Sequence, residues 1–262
     1  MDPGGAQGGQ VVTPAGGRAA ASIEGPVVSV VLPVFNEGET VEPVLRALDS
    51  AISSAHELIV VWDFDGDTTR PVVERLMGEI PALAGLRNDL GRGVLNAMKA
   101  GIGVSKGEFV LISMADGSDE PEVVDSMVSL ARGGADVVAA SRYMPGGGQI
   151  GGPLAKRLMS RAAGLTLHWF AGVPTHDPTN NFKLYRRTFL DATQIESTAG
   201  FELALELTVK ATLAGRRVAE VPTTWRDRTA GQSNFKLRQW LPHYLRWYAI
   251  AFRGRWRRRP KR

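Results

Sequence analysis

The feature that most constrains this chain is an alternation of two patterns. Apolar runs at residues 27–34, 58–62, 109–114 and 136–141 each end in turn residues. Continuous, β-branched runs of this kind belong to strands buried on both faces. Between the first two runs, Val41, Val44, Leu45, Leu48 and Ile52 recur at the spacing of one helix face. Pro43 falls near that helix's first turn, where it is tolerated. Helical patterns recur at Val72, Val73, Leu76 and Met77, and again at Val94, Ala97, Met98 and Ile102, with a weak strand near Leu86. Regular strand–helix alternation predicts an α/β fold, Rossmann-like, with a mostly parallel central sheet flanked by helices.

In open sheets of this class, ligands bind at the carboxyl ends of the strands. The third run stops abruptly in MADGSDEP, which puts Asp116 and Asp119 at such an end. Two carboxylates there can hold Mg²⁺ or Mn²⁺ against a diphosphate. The same residues also serve as ordinary caps, Asp116 of a turn and Asp119 of the helix after Pro121.

Composition narrows the alternatives. With 262 residues, 44% hydrophobic and 22% charged, the chain is of globular type and long enough for one large domain or two small ones. It has no cysteine, which excludes disulfides, thiolate zinc sites and a cysteine nucleophile. Its four histidines form no HExxH pattern. The net charge of +4 fits a phosphorylated substrate, anionic lipid or nucleic acid. No apolar run approaches the ~20 residues that span a bilayer. Residues 1–25 are Gly, Ala, Gln and Pro without a signal-peptide pattern, and read as a disordered arm. A cytoplasmic protein with peripheral membrane contact is expected.

Two local motifs compete. VVWDFDGDTT at 60–69 is similar to the Asp-x-Asp-Gly motif of haloacid-dehalogenase-type phosphatases, but it follows a complete strand–helix unit and lacks downstream Lys and double-Asp partners. Gly91-Arg92-Gly93 lacks the third glycine of a dinucleotide fingerprint, and there is no GxxxxGK[ST] loop.

The motifs VVLPVFNEGETV, ELIVVWDFDGDTT, NDLGRGVLNAMKAG, SRYMPGGG, AKRLMSR, HDPTNNFKLYRR, GFELALEL, AEVPTTW and DRTAGQSNFK occur in this order. In order and spacing the chain resembles family 2 glycosyltransferases of the GT-A fold, most of all the dolichol- or polyprenyl-phosphate mannose synthase-like branch. The resemblance implies a GT-A domain over 26–237; residues 238–262 after it read as an aromatic, basic amphipathic tail. It implies transfer of a hexose from a nucleotide-diphosphate sugar, GDP-mannose favoured, to a polyprenyl or dolichyl phosphate, with inversion and a divalent metal.

In that reading Pro33, Asn36 and Glu37 border the base and ribose, and Asp63 accepts a hydrogen bond from a base N–H. Asp67 stabilises its own turn. Arg92, before a helix N-terminus, neighbours the phosphates. Asp116 and Asp119 hold the metal, with Ser118 able to complete the shell. Met114 stands where the family's first metal carboxylate would be. Arg142, Lys156 and Ser160 match the positions that hold the lipid phosphate. Arg228, a catalytic candidate with Asp116, closes over the donor with Ser233 and Lys236. An acceptor phosphate needs no general base, whereas a hydroxyl acceptor would need one, for which Glu202 and Glu206 are the candidates. The alternatives are therefore a hydroxyl-acceptor glycosyltransferase of polysaccharide or glycolipid assembly, or a weakly catalytic nucleotide-sugar-binding subunit.

In the tail, Trp240, Tyr244, Trp247 and Ala251 share one helical face, and an Arg-rich end follows. That pattern suits an interfacial helix on an anionic membrane, or a helix docked on its own domain. A basic tail at one end does not make a nucleic-acid binder. Room is left for a homo-oligomer or a separate membrane subunit.

Overall fold

The computed structural model describes residues 11–12, 25–227 and 237–258. The backbone elements run β1 (Val11–Val12), β2 (Val28–Pro33), α1 (Val41–Ala51), β3 (His56–Trp62), α2 (Arg70–Leu76), β4 (Leu83–Arg87), α3 (Val94–Val104) and β5 (Phe109–Ile112). They continue through α4 (Val124–Arg132), β6 (Val137–Ser141), β7 (Gly148–Ile150), α5 (Leu154–Thr166), β8 (Lys183–Arg186) and α6 (Arg187–Asp191). Last come α7 (Leu203–Leu213), β9 (Val218–Pro222), β10 (Thr224–Arg226) and α8 (Leu237–Arg258).

One sheet of eight strands has the order β1-β4-β3-β2-β5-β8-β6-β9. Strands β4, β3, β2 and β5 are mutually parallel, as are β6 and β9. Strand β8 is antiparallel to both β5 and β6, so those two run parallel to each other and end on the same side. The apolar runs are continuous because both faces are covered. In β2, Val30 and Leu32 join the core of α1, α2 and α4, while Val31 joins the opposite core of α3, α6 and α7. Helix α3 lies so close to the sheet that a Cβ on Gly101 would collide with Val31.

Both the N-terminal arm and the tail make contacts with the domain. Val11–Val12, in the arm read as disordered, pair with Leu86 and Gly85 as a short edge strand. Of the two readings left open for the tail, docking on its own domain is what the described residues of its aromatic face show. Trp247 and Ala251 are buried with Leu205 and Val209 of α7 and with Leu167, Ala171 and Val173 around a π-helical turn, Leu167–Ala171. The Tyr244 hydroxyl donates to the Phe201 carbonyl at 2.8 Å. The apolar stripe of α8 is therefore mostly spent on its own domain.

Candidate functional site

The first two strand ends are laced together by a buried carboxylate. Asn36, with φ of 56°, turns the chain out of β2 and donates its N–H to both oxygens of Asp67 at 3.1 Å. Thr69 N–H also donates to Asp67, at 2.8 Å, and Glu37 N–H donates to Thr69 Oγ1 at 3.0 Å. The Asn36 side-chain oxygen accepts Thr68 N–H at 3.2 Å. Asp67 thus stabilises its own turn, as expected, and also fixes the neighbouring one. Pro33 is buried at the end of β2, while Glu37 is half-buried on the rim.

Asp63, at the end of β3, accepts Asn88 Nδ2 at 2.7 Å and the Gly93 N–H at 2.8 Å. Asn88 in turn donates to the Gly91 carbonyl and accepts Leu90 N–H. A carboxylate has about four acceptor sites, so these bonds orient Asp63 without exhausting it. Arg92 is exposed on the same loop, with its guanidinium 5.1 Å from the centre of the Phe64 ring. Asn36, Glu37, Asp63 and Arg92 thus share one end of the sheet.

Beyond β5, Asp116 Oδ1 accepts the Ser118 N–H at 3.1 Å, closing an Asx turn. Ser118 Oγ and Asp119 Oδ1 are buried without a hydrogen-bond partner. Burial, and then the charge of Asp116, pushes the Asp119 carboxyl up to about 7. Buried polar atoms are nearly always paired, so two orphaned oxygens beside a third in one turn fit a hard cation. Among the described residues no cluster of three or more His, Cys, Asp or Glu forms a complete metal cage. Water and substrate oxygens would fill the rest of the shell.

At the end of β6, Arg142 is clamped by Asp177. Its Nε donates to Oδ2 at 2.6 Å, its Nη2 to Oδ1 at 2.9 Å and its backbone N–H to Oδ2 at 3.1 Å. Asp177 is fully buried, yet Arg142 holds its carboxyl below the usual range against the desolvation that opposes this. Ser160 on α5 accepts Arg142 Nη2 at 3.4 Å and bonds Thr179 Oγ1 at 2.9 Å. The Tyr143 ring lies 4.9 Å from the same guanidinium. Under this cluster Lys183, fully buried on β8, donates to the carbonyls of Asp177 and Asn180. Burial lowers its ammonium to about 7.

The structure thus brings Arg142 and Ser160 together. The Lys156 side chain, and all of Arg228, Ser233 and Lys236, lie outside the described residues. The segment leading towards Arg228 is anchored beside the Asp119 turn. Arg226 N–H donates to the Ser118 carbonyl at 2.9 Å, and Glu120 accepts Thr224 N–H at 2.7 Å. Strand β10 pairs in parallel with β7, and Asp227 N–H donates to the Ile150 carbonyl at 2.9 Å.

Glu202 and Glu206 are not placed to act as bases. Glu202 accepts the N–H groups of Thr198, Ala199 and Gly200, and Glu206 accepts those of Glu196 and Ser197 and pairs with Lys210. Both are buried and serve the loop that enters α7. Asp177, Lys183 and Glu120 were missed as organisers of the site. So was Glu220, which holds Thr175 and His176 just before Asp177.

The family model for Glycosyl transferase family 2 matches residues 29–193. Dolichol-phosphate mannosyltransferase of Pyrococcus furiosus is 26% identical over 84% of this chain, which spans 63% of that protein's length. Undecaprenyl-phosphate mannosyltransferase of Micrococcus luteus is 29% identical, covering 79% of this chain and 86% of that protein. Polyprenol monophosphomannose synthase of Mycolicibacterium smegmatis is 29% identical, covering 80% and 85%. Among solved structures, glucosyl-3-phosphoglycerate synthase of Mycobacterium tuberculosis, in complex with Mn²⁺, UDP and glucosyl-3-phosphoglycerate, superposes with a TM-score of 0.62. It is 19% identical and the match covers 88% of this chain and 80% of that one, so the shared feature is the GT-A fold.

Proposed function

Because the chain belongs to Glycosyl transferase family 2, we propose that it transfers a hexose from a nucleotide-diphosphate sugar to a polyprenyl phosphate. Mannose from GDP-mannose is the favoured donor, since the relatives named above carry mannosyltransferase names. The observation that carries the reading is Arg142, locked by a buried Asp177 beside Ser160, at the same end of the sheet as the Asp116–Asp119 turn.

A preorganised guanidinium binds a phosphate with two parallel bonds and little reorganisation. Asp177 holds Arg142 through Nε and Nη2, which fixes the plane of the guanidinium. Ser160 adds a hydroxyl, and Lys156, on the same helix, adds charge. An anionic phosphate oxygen is already a nucleophile near neutral pH, so positioning and charge compensation suffice. That agrees with Glu202 and Glu206 being committed to backbone amides. Phosphate oxygen bonds to the sugar anomeric carbon as the bond to the nucleoside diphosphate breaks, which inverts the centre. Asp116 and Asp119, with Ser118, would hold Mg²⁺ or Mn²⁺, which supplies charge compensation for the departing diphosphate. Asp63, Asn36, Glu37 and Arg92 orient the donor, and Arg228, Ser233 and Lys236 close over it.

The acceptor's lipid has a matching surface. Eight of the ten large apolar side chains left exposed among the described residues lie on β7, α5, the π-helical turn and α8. Leu154 and Leu158 stand one helical turn apart on α5, the helix that also delivers Ser160, and Trp169 and Phe170 follow in the π-helical turn. Arg157, Arg161, Arg253 and Arg255 accompany them. Among the described residues no helix is long and apolar enough to cross a membrane. Peripheral seating on anionic lipid at the cytoplasmic face is the arrangement proposed.

Radiolabelled nucleotide sugars incubated with polyprenyl phosphate and Mg²⁺ test the reading directly. Labelled mannose is expected in a lipid product that mild acid releases. Transfer only to a sugar hydroxyl, or tight nucleotide binding without transfer from any donor, would overturn it.

A further inference from the structure

A short chain of contacts joins the exposed π-helical turn to Arg142. In that turn, Leu167–Ala171, the rings of Trp169 and Phe170 are 60% and 62% exposed, while His168 just before them is half-buried. His168 Nδ1 donates to the Val173 carbonyl at 2.9 Å, since a carbonyl only accepts. Its ring stacks on that of His176, with centres 4.0 Å apart and planes 28° from parallel. His176 is the residue before Asp177, whose carboxylate clamps Arg142.

Glu220, on β9, closes the chain of contacts. It accepts the His176 ring Nδ1 at 2.5 Å, the His176 N–H at 2.8 Å and the Thr175 hydroxyl at 2.8 Å. The Thr175 hydroxyl in turn accepts the Asp177 N–H at 3.1 Å. Helix α5 backs the same segment so closely that a Cβ on Gly164 would collide with the His176 carbonyl. Leu167, Ala171 and Val173 are buried against α7 and α8. Residues 167–177 therefore form one packed unit, and packed groups transmit a displacement instead of absorbing it. π-Helical turns are rare and recur at functional sites. This one leaves two aromatic rings outside and sets the neighbouring imidazole against the acceptor clamp.

We infer that His168 and His176 are positioning residues that link seating of the π-helical turn in lipid to the alignment of Arg142. Both act through Asp177. A turn immobilised by its aromatic rings in a bilayer fixes the imidazole stack, and the stack fixes the backbone that carries Asp177. Acceptor phosphate then binds with less ordering cost. The inference rests on the polyprenyl-phosphate reading and on the lipid-facing surface proposed with it. It adds that the membrane raises the affinity of the acceptor site itself, beyond gathering the acceptor near the protein.

Dimethylallyl phosphate separates the two effects. It is short and anionic, so it stays in water beside an anionic bilayer. Transfer from GDP-mannose is measured on the full chain with Mg²⁺, with and without liposomes of equal parts phosphatidylcholine and phosphatidylglycerol. For the wild type, liposomes are expected to lower the KM for dimethylallyl phosphate about tenfold, within the usual range of coupling between sites, and to leave the KM for GDP-mannose unchanged. His168→Asn keeps a donor for the Val173 carbonyl but removes the ring from the stack. It should sediment with liposomes as the wild type does, yet lose the fall in acceptor KM. Trp169→Ser with Phe170→Ser, which keeps the stack, should lose that fall together with sedimentation. A wild type without the fall, or a His168→Asn chain that keeps it, would overturn the link. So would a His168→Asn chain with weakened sedimentation or a raised KM for GDP-mannose, since the stack would then only hold the fold. Absence of transfer from any nucleotide sugar to either dimethylallyl or long-chain polyprenyl phosphate would instead overturn the acceptor reading.

Discussion

Asp119 carries opposing demands. Its carboxyl is held at about 7, first by burial and then by Asp116, so the folded chain binds a proton there that the unfolded chain has released. Its contribution to stability is complete below the ordinary carboxylate value near 4 and is lost as pH rises through about 7. Without a divalent ion, Asp119→Asn should therefore stabilise the protein at pH 8. The gain expected is on the order of 2 kcal/mol, or roughly 5 °C in melting temperature. The same substitution should abolish the upward melting shift that Mn²⁺ gives the wild type. Differential scanning fluorimetry at pH 5 and pH 8, with and without Mn²⁺, measures both; a variant still shifted by Mn²⁺ removes Asp119 from the metal site.

At this scale the sequence was informative where chemistry sits at a strand end. Asp63, Asp116 and Arg142 could be placed because an apolar run stops just before each. Glu202 and Glu206 misled, because a glutamate at a helix start reads the same whether it faces a cleft or its own loop. Asp177 and Lys183 could not be placed, since their burial depends on β8 entering the sheet from the far side. Nothing in residues 175–187 alone announces that.

Among the elements, α8 shows how far a pattern goes. Its apolar stripe was legible, but a stripe does not say whether lipid or protein covers it. Packing answers: Trp247 is 2% exposed, with Lys210 and Arg246 at 5.1 and 5.0 Å from its ring centre. Trp247→Ala should cost about 3–5 kcal/mol through the cavity it leaves against α7. Urea unfolding followed by circular dichroism checks this. A loss under 1 kcal/mol would mean that α8 is not docked in solution. Deleting the tail is consequently a poor probe of membrane binding, because it uncovers Leu205 and Val209.

For the whole molecule, most of the large apolar side chains left exposed among the described residues lie on β7, α5, the π-helical turn and α8. Trp169→Ser with Phe170→Ser should weaken sedimentation with anionic liposomes about tenfold or more, with the melting temperature unchanged, since both rings are already exposed. Raising salt should weaken binding of the wild type as well. Binding that neither change affects would place the membrane contact elsewhere on the molecule.

The antiparallel strand β8 has one more consequence. By standing between β5 and β6 it separates the Asp116 turn from Arg142 by two strand spacings, roughly 10 Å. Had β5 and β6 been neighbours, the two ends would crowd to half that distance. The inserted strand therefore acts as a gauge that sets the distance between the two strand ends. That distance comes from backbone geometry, so side-chain substitutions in the surrounding loops leave it unchanged.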